Sequence, residues 1–139
     1  IPLPFIGIRK GPVIICPKDK SVKIFFGKLG TTIEIKNEKI SKNFWTTSSF
    51  MAPFYQMMLV NSNWLVSKGV KRKSAEDYTR ELFVALSQDS IFKNKLSLKQ
   101  LVSESQTPGG INAQALSELK KKKFYKIQQK VLNSILKRF

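Results

Sequence analysis

The chain has 139 residues, 42% of them hydrophobic, and carries 25 Lys and Arg against 9 Asp and Glu, a formal net charge of +16. Its length suits one compact domain, and its apolar content can fill a core while leaving surface for a partner. With no histidine and a single cysteine, Cys16, it offers no Cys–His or Ser–His pair, no internal disulfide and no ordinary zinc set.

The positive balance raises a nucleic-acid reading. Only Arg9, Arg72, Arg80 and Arg138 are arginines, whereas recognition of bases and phosphates favours the guanidinium fork. The lysines are spread along the chain apart from Lys120 to Lys123. They read as a solvated surface, with no specific nucleic-acid partner. No Gly-x-Gly-x-x-Gly follows a strand, so a dinucleotide-binding half is not encoded in these residues.

In chain order, Gly11 to Cys16 predicts a short buried strand, with Cys16 packed as a small apolar residue and Pro17 as the stop. Asp19 is placed to cap a helix whose apolar side is Val22, Ile24, Phe25, Phe26 and Leu29, and Gly30 to end it. Alternation over Thr31 to Lys36 predicts a half-buried strand. Strand, helix and strand make a small α/β start.

From about Ile40 the pattern is helical. Asn43 to Ser67 holds no charged residue, long enough to test for a membrane span. Its Asn, Gln, Ser and Thr content argues against one. Aromatic and thioether residues on all sides predict a helix buried on most faces, broken or kinked at Pro53. A chain this short has little with which to cover such a helix, so a second copy is expected to do so, with Phe54, Met58 and Trp64 in a two-fold interface.

The next helix is expected to start at Ser74, with Ser74 and Asp77 at capping-box spacing and Tyr78, Leu82, Ala85 and Leu86 on one face. Lys93 to Ser105 predicts a weaker helix. Thr107-Pro108-Gly109-Gly110-Ile111-Asn112 then feeds one final helix, with Phe124, Ile127, Val131, Ile135 and Phe139 along its apolar side. A glycine turn opening a helix is a place to hold an anion, because the first amides lack partners and the helix end is partly positive.

The order of these motifs resembles the C-terminal part of the pyrroline-5-carboxylate reductase family. Ile1-Pro2-Leu3-Pro4-Phe5 is similar to that family's Met-Pro-Asn-Thr-Pro segment, and Ser48-Ser49-Phe50-Met51-Ala52-Pro53-Phe54-Tyr55 to its Gly-Ser-Gly-Pro-Ala-Tyr helix start. The Thr-Pro-Gly-Gly turn matches its Ser/Thr-Pro-Gly-Gly-Thr-Thr substrate turn. The resemblance implies a mainly α fold: a helical dimerisation domain, with a kinked or broken central helix and three or four further helices, over residues 38–139. Residues 1–37 would be the strand-helix-strand edge of a Rossmann-like cofactor domain, and the chain a fragment.

The function that the resemblance implies is that of a cytoplasmic homodimer that reduces a small cyclic imino acid with NAD(P)H. Thr107, Pro108, Gly109, Gly110, Ile111 and Asn112 would hold the substrate carboxylate, mainly through the amides of Gly110, Ile111 and Asn112, while Thr107 hydrogen-bonds nearby. No cofactor is expected on these residues alone, no reductase activity, and no membrane or metal. Ile111 and Asn112 replace the family's two threonines, Phe50-Met51-Ala52 replaces Gly-Ser-Gly, and Leu3 replaces asparagine. A divergent substrate is implied. Two other readings stay open, a non-catalytic homodimeric module and a basic nucleic-acid or membrane-surface binder.

Overall fold

The computed structural model of the chain describes residues 3–139. Ile1 and Pro2, at the head of the Pro-rich segment, lie outside the described residues. The chain forms two compact units, one running as far as Ser49 and including Val131–Phe139, the other Phe50–Lys130.

In the first unit a 3₁₀ helix, Pro4–Ile8, leads to β1 (Pro12–Ile15), α1 (Lys20–Phe26) and β2 (Thr31–Glu34). The strands pair in parallel, from Pro12 opposite Thr31 to Ile15 opposite Glu34. Parallel strands need a crossover, which α1 supplies. Asp19 caps α1 as expected, its carboxylate accepting from the Val22 amide at 2.9 Å. Ile15 and Ile35 are buried.

Two expectations here are corrected. The helix ends at Phe26, not at Gly30; Gly30 sits so close to Gly11 that a Cβ would lie 2.4 Å from its carbonyl oxygen. Glycine is required for that backbone approach, which lets the Thr31 amide donate to Gly11 at 2.9 Å. Cys16 falls just beyond β1 and is half-buried rather than part of a buried strand, since only Ile15 of β1 is fully covered.

A second 3₁₀ turn, Glu38–Ile40, leads into α2 (Ser41–Ser48). Within this unit Trp45 and Phe139 pack ring to ring, with centroids 5.9 Å apart.

The second unit holds α3 (Met51–Ser67), α4 (Arg72–Phe92), α5 (Leu98–Glu104) and α6 (Ile111–Lys121), and α7 (Phe124–Leu136) begins in it. The fold is thus mainly α, with a broken central helix (α2 and α3) and four further helices after a small β segment. The break falls at Ser49-Phe50, just ahead of Pro53. Proline then occupies the first turn of α3, where a missing N–H costs no intrahelical bond.

The charge-free stretch satisfies its hydroxyls locally. Thr46, Thr47, Ser48, Ser49, Ser62 and Ser67 all donate to carbonyls three or four residues back. Among the described residues, no helix is long and apolar enough to cross a membrane.

α3 and α4 pack together, Phe54 against Phe83 edge to face at 5.4 Å. Small side chains, Ser62, Ala75 and Thr79, are buried. The expected burial of α3 on most faces does not occur within the chain, where Ser62 is its buried residue and Trp64 is 60% exposed. One neighbouring helix can cover only one side.

The helix expected from Ser74 starts at Arg72 and has no side-chain cap; Asp77 pairs with Lys73 at 2.6 Å instead. A capping box exists at Ser97 and Gln100, where α5 begins. The single terminal helix is in fact two, because Lys123 adopts a left-handed conformation, φ 60°, between α6 and α7.

Candidate functional site

Pro108 fixes a φ suited to the second position of a turn, and glycine tolerates the positive φ of the third. Gly109 accordingly has φ 73°, and the Gly110 amide donates to the Thr107 carbonyl at 2.8 Å. This is a type II turn in its residue choice, its sign of φ and its closing hydrogen bond. Gly110 then stands as the N-cap of α6, extended at φ −79° and ψ 161°.

The approach to the turn is pinned as well. Ser97 and Gln100 cap α5 reciprocally, and the Gln106 side-chain amide donates back to the Val102 carbonyl at 2.6 Å. The segment entering Thr107 is thereby tied to α5.

The first intrahelical bond of α6 runs from the Gln114 amide to the Gly110 carbonyl, 3.1 Å. The amides of Ile111, Asn112 and Ala113 precede it and project from the helix start. The first turn of α6 holds no acidic residue and its last turn holds Lys120 and Lys121, so the positive end of the helix dipole is not offset by a carboxylate. A carboxylate or phosphate fits there.

Of the six residues singled out from sequence, Thr107, Pro108, Gly109 and Gly110 form the turn and Ile111 and Asn112 open α6, with two differences in their parts. Gly110 spends its N–H within the turn, so the amides left open at the helix start are those of Ile111, Asn112 and Ala113, not Gly110, Ile111 and Asn112. Thr107 serves the turn through its carbonyl. Ile111 is 82% exposed and flanks these amides with an apolar side chain.

Phe54, Met58 and Trp64 do not share one side of α3. Phe54 meets Phe83, and Met58 lines a small cleft with Glu76, Thr79 and Arg80 of α4. Trp64 projects away, with the Lys68 ammonium 5.9 Å from its ring. Phe83, Ile91 and Phe92 are not singled out by sequence pattern; Phe92 is 88% exposed at the end of α4. The apolar Ile91-Phe92 pair just before Lys93 is the signal that points to them.

In the first unit a cleft of about 820 Å³ runs along β1, lined by Ile14, Cys16, Val22, Phe26, Phe44 and Trp45, with Asp19 and Glu38 also on its wall. No Lys or Arg lines it. It suits an uncharged, partly apolar group and not a pyrophosphate. Among the described residues no cluster of three metal-ligating side chains occurs.

The family described as "Pyrroline-5-carboxylate reductase dimerisation" matches residues 38–139. No curated protein matches the chain. Among solved structures, a pyrroline-5-carboxylate reductase from Coxiella burnetii superposes with a TM-score of 0.78 at 19% identity, over 94% of this chain and 51% of that one. Plasmodium falciparum pyrroline carboxylate reductase, solved with NADP bound, gives 0.74 at 20% identity, over 96% and 56%. The Streptococcus pyogenes 1-pyrroline-5-carboxylate reductase gives 0.77 at 15% identity, over 96% and 54%. The chain spans about half the length of these proteins and shares their fold across that half. It belongs to the pyrroline-5-carboxylate reductase dimerisation family.

Proposed function

We propose that this family member is the dimer-forming, substrate-carboxylate-holding part of an NAD(P)H-dependent reductase that acts on a small cyclic imino acid. In this reading residues 38–139 are the dimerisation domain, and residues 1–37 the edge of a cofactor domain whose phosphate-binding loop lies outside these 139 residues. The protein works in the cytoplasm. The observation that carries the site is the type II turn delivering three amides at a helix start free of acidic side chains.

The residues present fit one end of the chemistry. Bound NAD(P)H supplies the hydride, and the protein supplies position and electrostatics. The Ile111, Asn112 and Ala113 amides hold the substrate carboxylate, and Ile111 presents an apolar wall beside it. Nothing lining the β1 cleft would hold nucleotide phosphates. These residues alone accordingly give no reductase activity.

Assembly rests on exposed apolar surface. In the second unit Ala75 is the buried hydrophobic residue among those described, while Phe54, Trp64, Tyr78, Leu86 and Phe92 stay exposed. A second copy that covers α3 and α4 removes that surface from water.

Asn112→Asp tests the site. A carboxylate in the first turn of α6 stabilises the helix by about 0.3 to 1 kcal/mol, yet repels a bound carboxylate. In the reductase that contains this chain, KM for the imino acid is expected to rise at least tenfold while KM for the cofactor is unchanged, and thermal stability should hold or increase. In this chain alone, titration with proline should shift the Ile111 to Ala113 amide resonances of the wild type and not of the variant. Unchanged kinetics in the variant would reduce the turn to a connection.

A further inference from the structure

The last acidic residue of the chain is Glu118, and the twenty residues from Lys120 to Phe139 hold seven lysines and one arginine. Among the described residues, the ion pairs engage Lys23, Lys73, Arg80 and Lys93, and none of these eight cations is in one. Every residue from Ser117 through Val131 is exposed. The left-handed turn at Lys123 folds four consecutive lysines into the corner between α6 and α7. One helical turn on, Lys126 and Lys130 lie four apart on the side of α7 opposite Phe124, Val131 and Ile135. A partner that covers the apolar side of α7 leaves this lysine side in water.

We propose that the α6–α7 corner, Lys120 to Lys123 with Lys126 and Lys130, is a polyanion-docking surface whose partner is the phosphate backbone of nucleic acid, bound without regard to sequence. Six cations that form no ion pair among the described residues, with Glu118 the one carboxylate within a helical turn of them, form the positive potential that draws such a backbone. Lysine lacks the bidentate phosphate fork of arginine and holds a phosphate only as a point charge on a flexible stem, which suits binding without regard to sequence, and the scarcity of arginine argues against base reading. A basic side opposite an apolar side also suits a lipid surface; a second copy covering the apolar side of α7 leaves nothing to sink into a bilayer, and this favours nucleic acid. That choice alone rests on the homodimer reading; the charge argument goes beyond it.

The test uses the whole chain and two labelled DNA duplexes of unrelated sequence, titrated by fluorescence anisotropy over a salt series. Wild type should bind both duplexes equally. Lys120→Gln, Lys121→Gln, Lys122→Gln and Lys126→Gln together should weaken binding roughly tenfold or more at low salt and flatten the log Kd against log salt slope by about 3 to 4. A control with Lys10→Gln, Lys28→Gln, Lys36→Gln and Lys39→Gln has the same net charge and should bind nearly as wild type does. Equal weakening by the two sets overturns the proposal in favour of bulk charge. Binding to phosphatidylglycerol vesicles in preference to DNA overturns it in favour of a membrane. Sedimentation of all three proteins without DNA reports folding and dimerisation separately, so loss of the dimer is not mistaken for loss of the docking surface.

Discussion

Glycine plays two different parts in this chain, and substitution separates them. At Gly109 the constraint is conformational: φ is 73° and a methyl group added there would meet no atom within 4 Å, so Gly109→Ala should cost about 1 kcal/mol through the left-handed backbone alone. At Gly30 the constraint is contact with the Gly11 carbonyl, and Gly30→Ala should cost about 3 kcal/mol or more by forcing the start of β2 away from β1. Denaturant midpoints of the two variants rank them. A milder loss at position 30 than at 109 would refute the close approach. Charged residues at this scale act weakly. The Lys73 ammonium holds the Asp77 carboxyl below the usual carboxylate range, Lys23 does so for Glu34, and the Ser21 hydroxyl followed by the Val22 amide for Asp19. A lowered folded pKa means stability that is complete above the unfolded carboxylate range, about 3.9 to 4.3, and lost as pH falls through the folded values. Thermal stability should therefore be level from neutral pH down to about pH 5 and decline below it. All three carboxylates are solvated, so Asp77→Asn should remove only a small, salt-sensitive part of that decline.

Helix ends show which parts of the fold were legible. Asp19 announced α1 because a short acid before an apolar run has few other uses, and Thr-Pro-Gly-Gly announced a turn because proline and glycine restrict φ directly. Ser74 and Asp77 had the spacing of a cap, but an i,i+4 lysine competes for Asp77 and α4 starts two residues earlier. Ser97 and Gln100 form the real box. Ser97→Ala should then cost about 1 kcal/mol, while Ser74→Ala stays within about 0.5 kcal/mol, a contrast that paired thermal melts can resolve. The division of the terminal helix was hidden because four lysines carry no breaker signal. Lys123 takes a left-handed conformation, φ 60°, between α6 and α7, and Lys123→Gly should raise stability by about 1 kcal/mol. At the candidate site the turn was readable from residue type, but the commitment of the Gly110 amide to Thr107 depends on how the turn closes.

At the scale of the whole molecule, the sequence promised a well-covered central helix and the single chain leaves it open. Periodicity reports that a face is apolar; it does not say whether the cover comes from the same chain. Among the described residues Ile15, Ile35 and Ala75 make up the buried hydrophobic set, too few to balance the ordering of a chain this long. Folding and association are therefore expected to be linked. The melting temperature should rise with protein concentration, since mass action stabilises a folded dimer over unfolded monomers. Trp64 gives the sharper reading, because it is 60% exposed in the single chain. If a second copy covers it, Trp64→Ala should cost about 3 to 5 kcal/mol of dimer stability, shift the sedimentation profile toward monomer, and steepen the dependence of melting on concentration. If α3 carries its apolar side uncovered, the same substitution should change stability by less than about 1 kcal/mol and leave sedimentation unaltered, and the homodimer reading would fall with it.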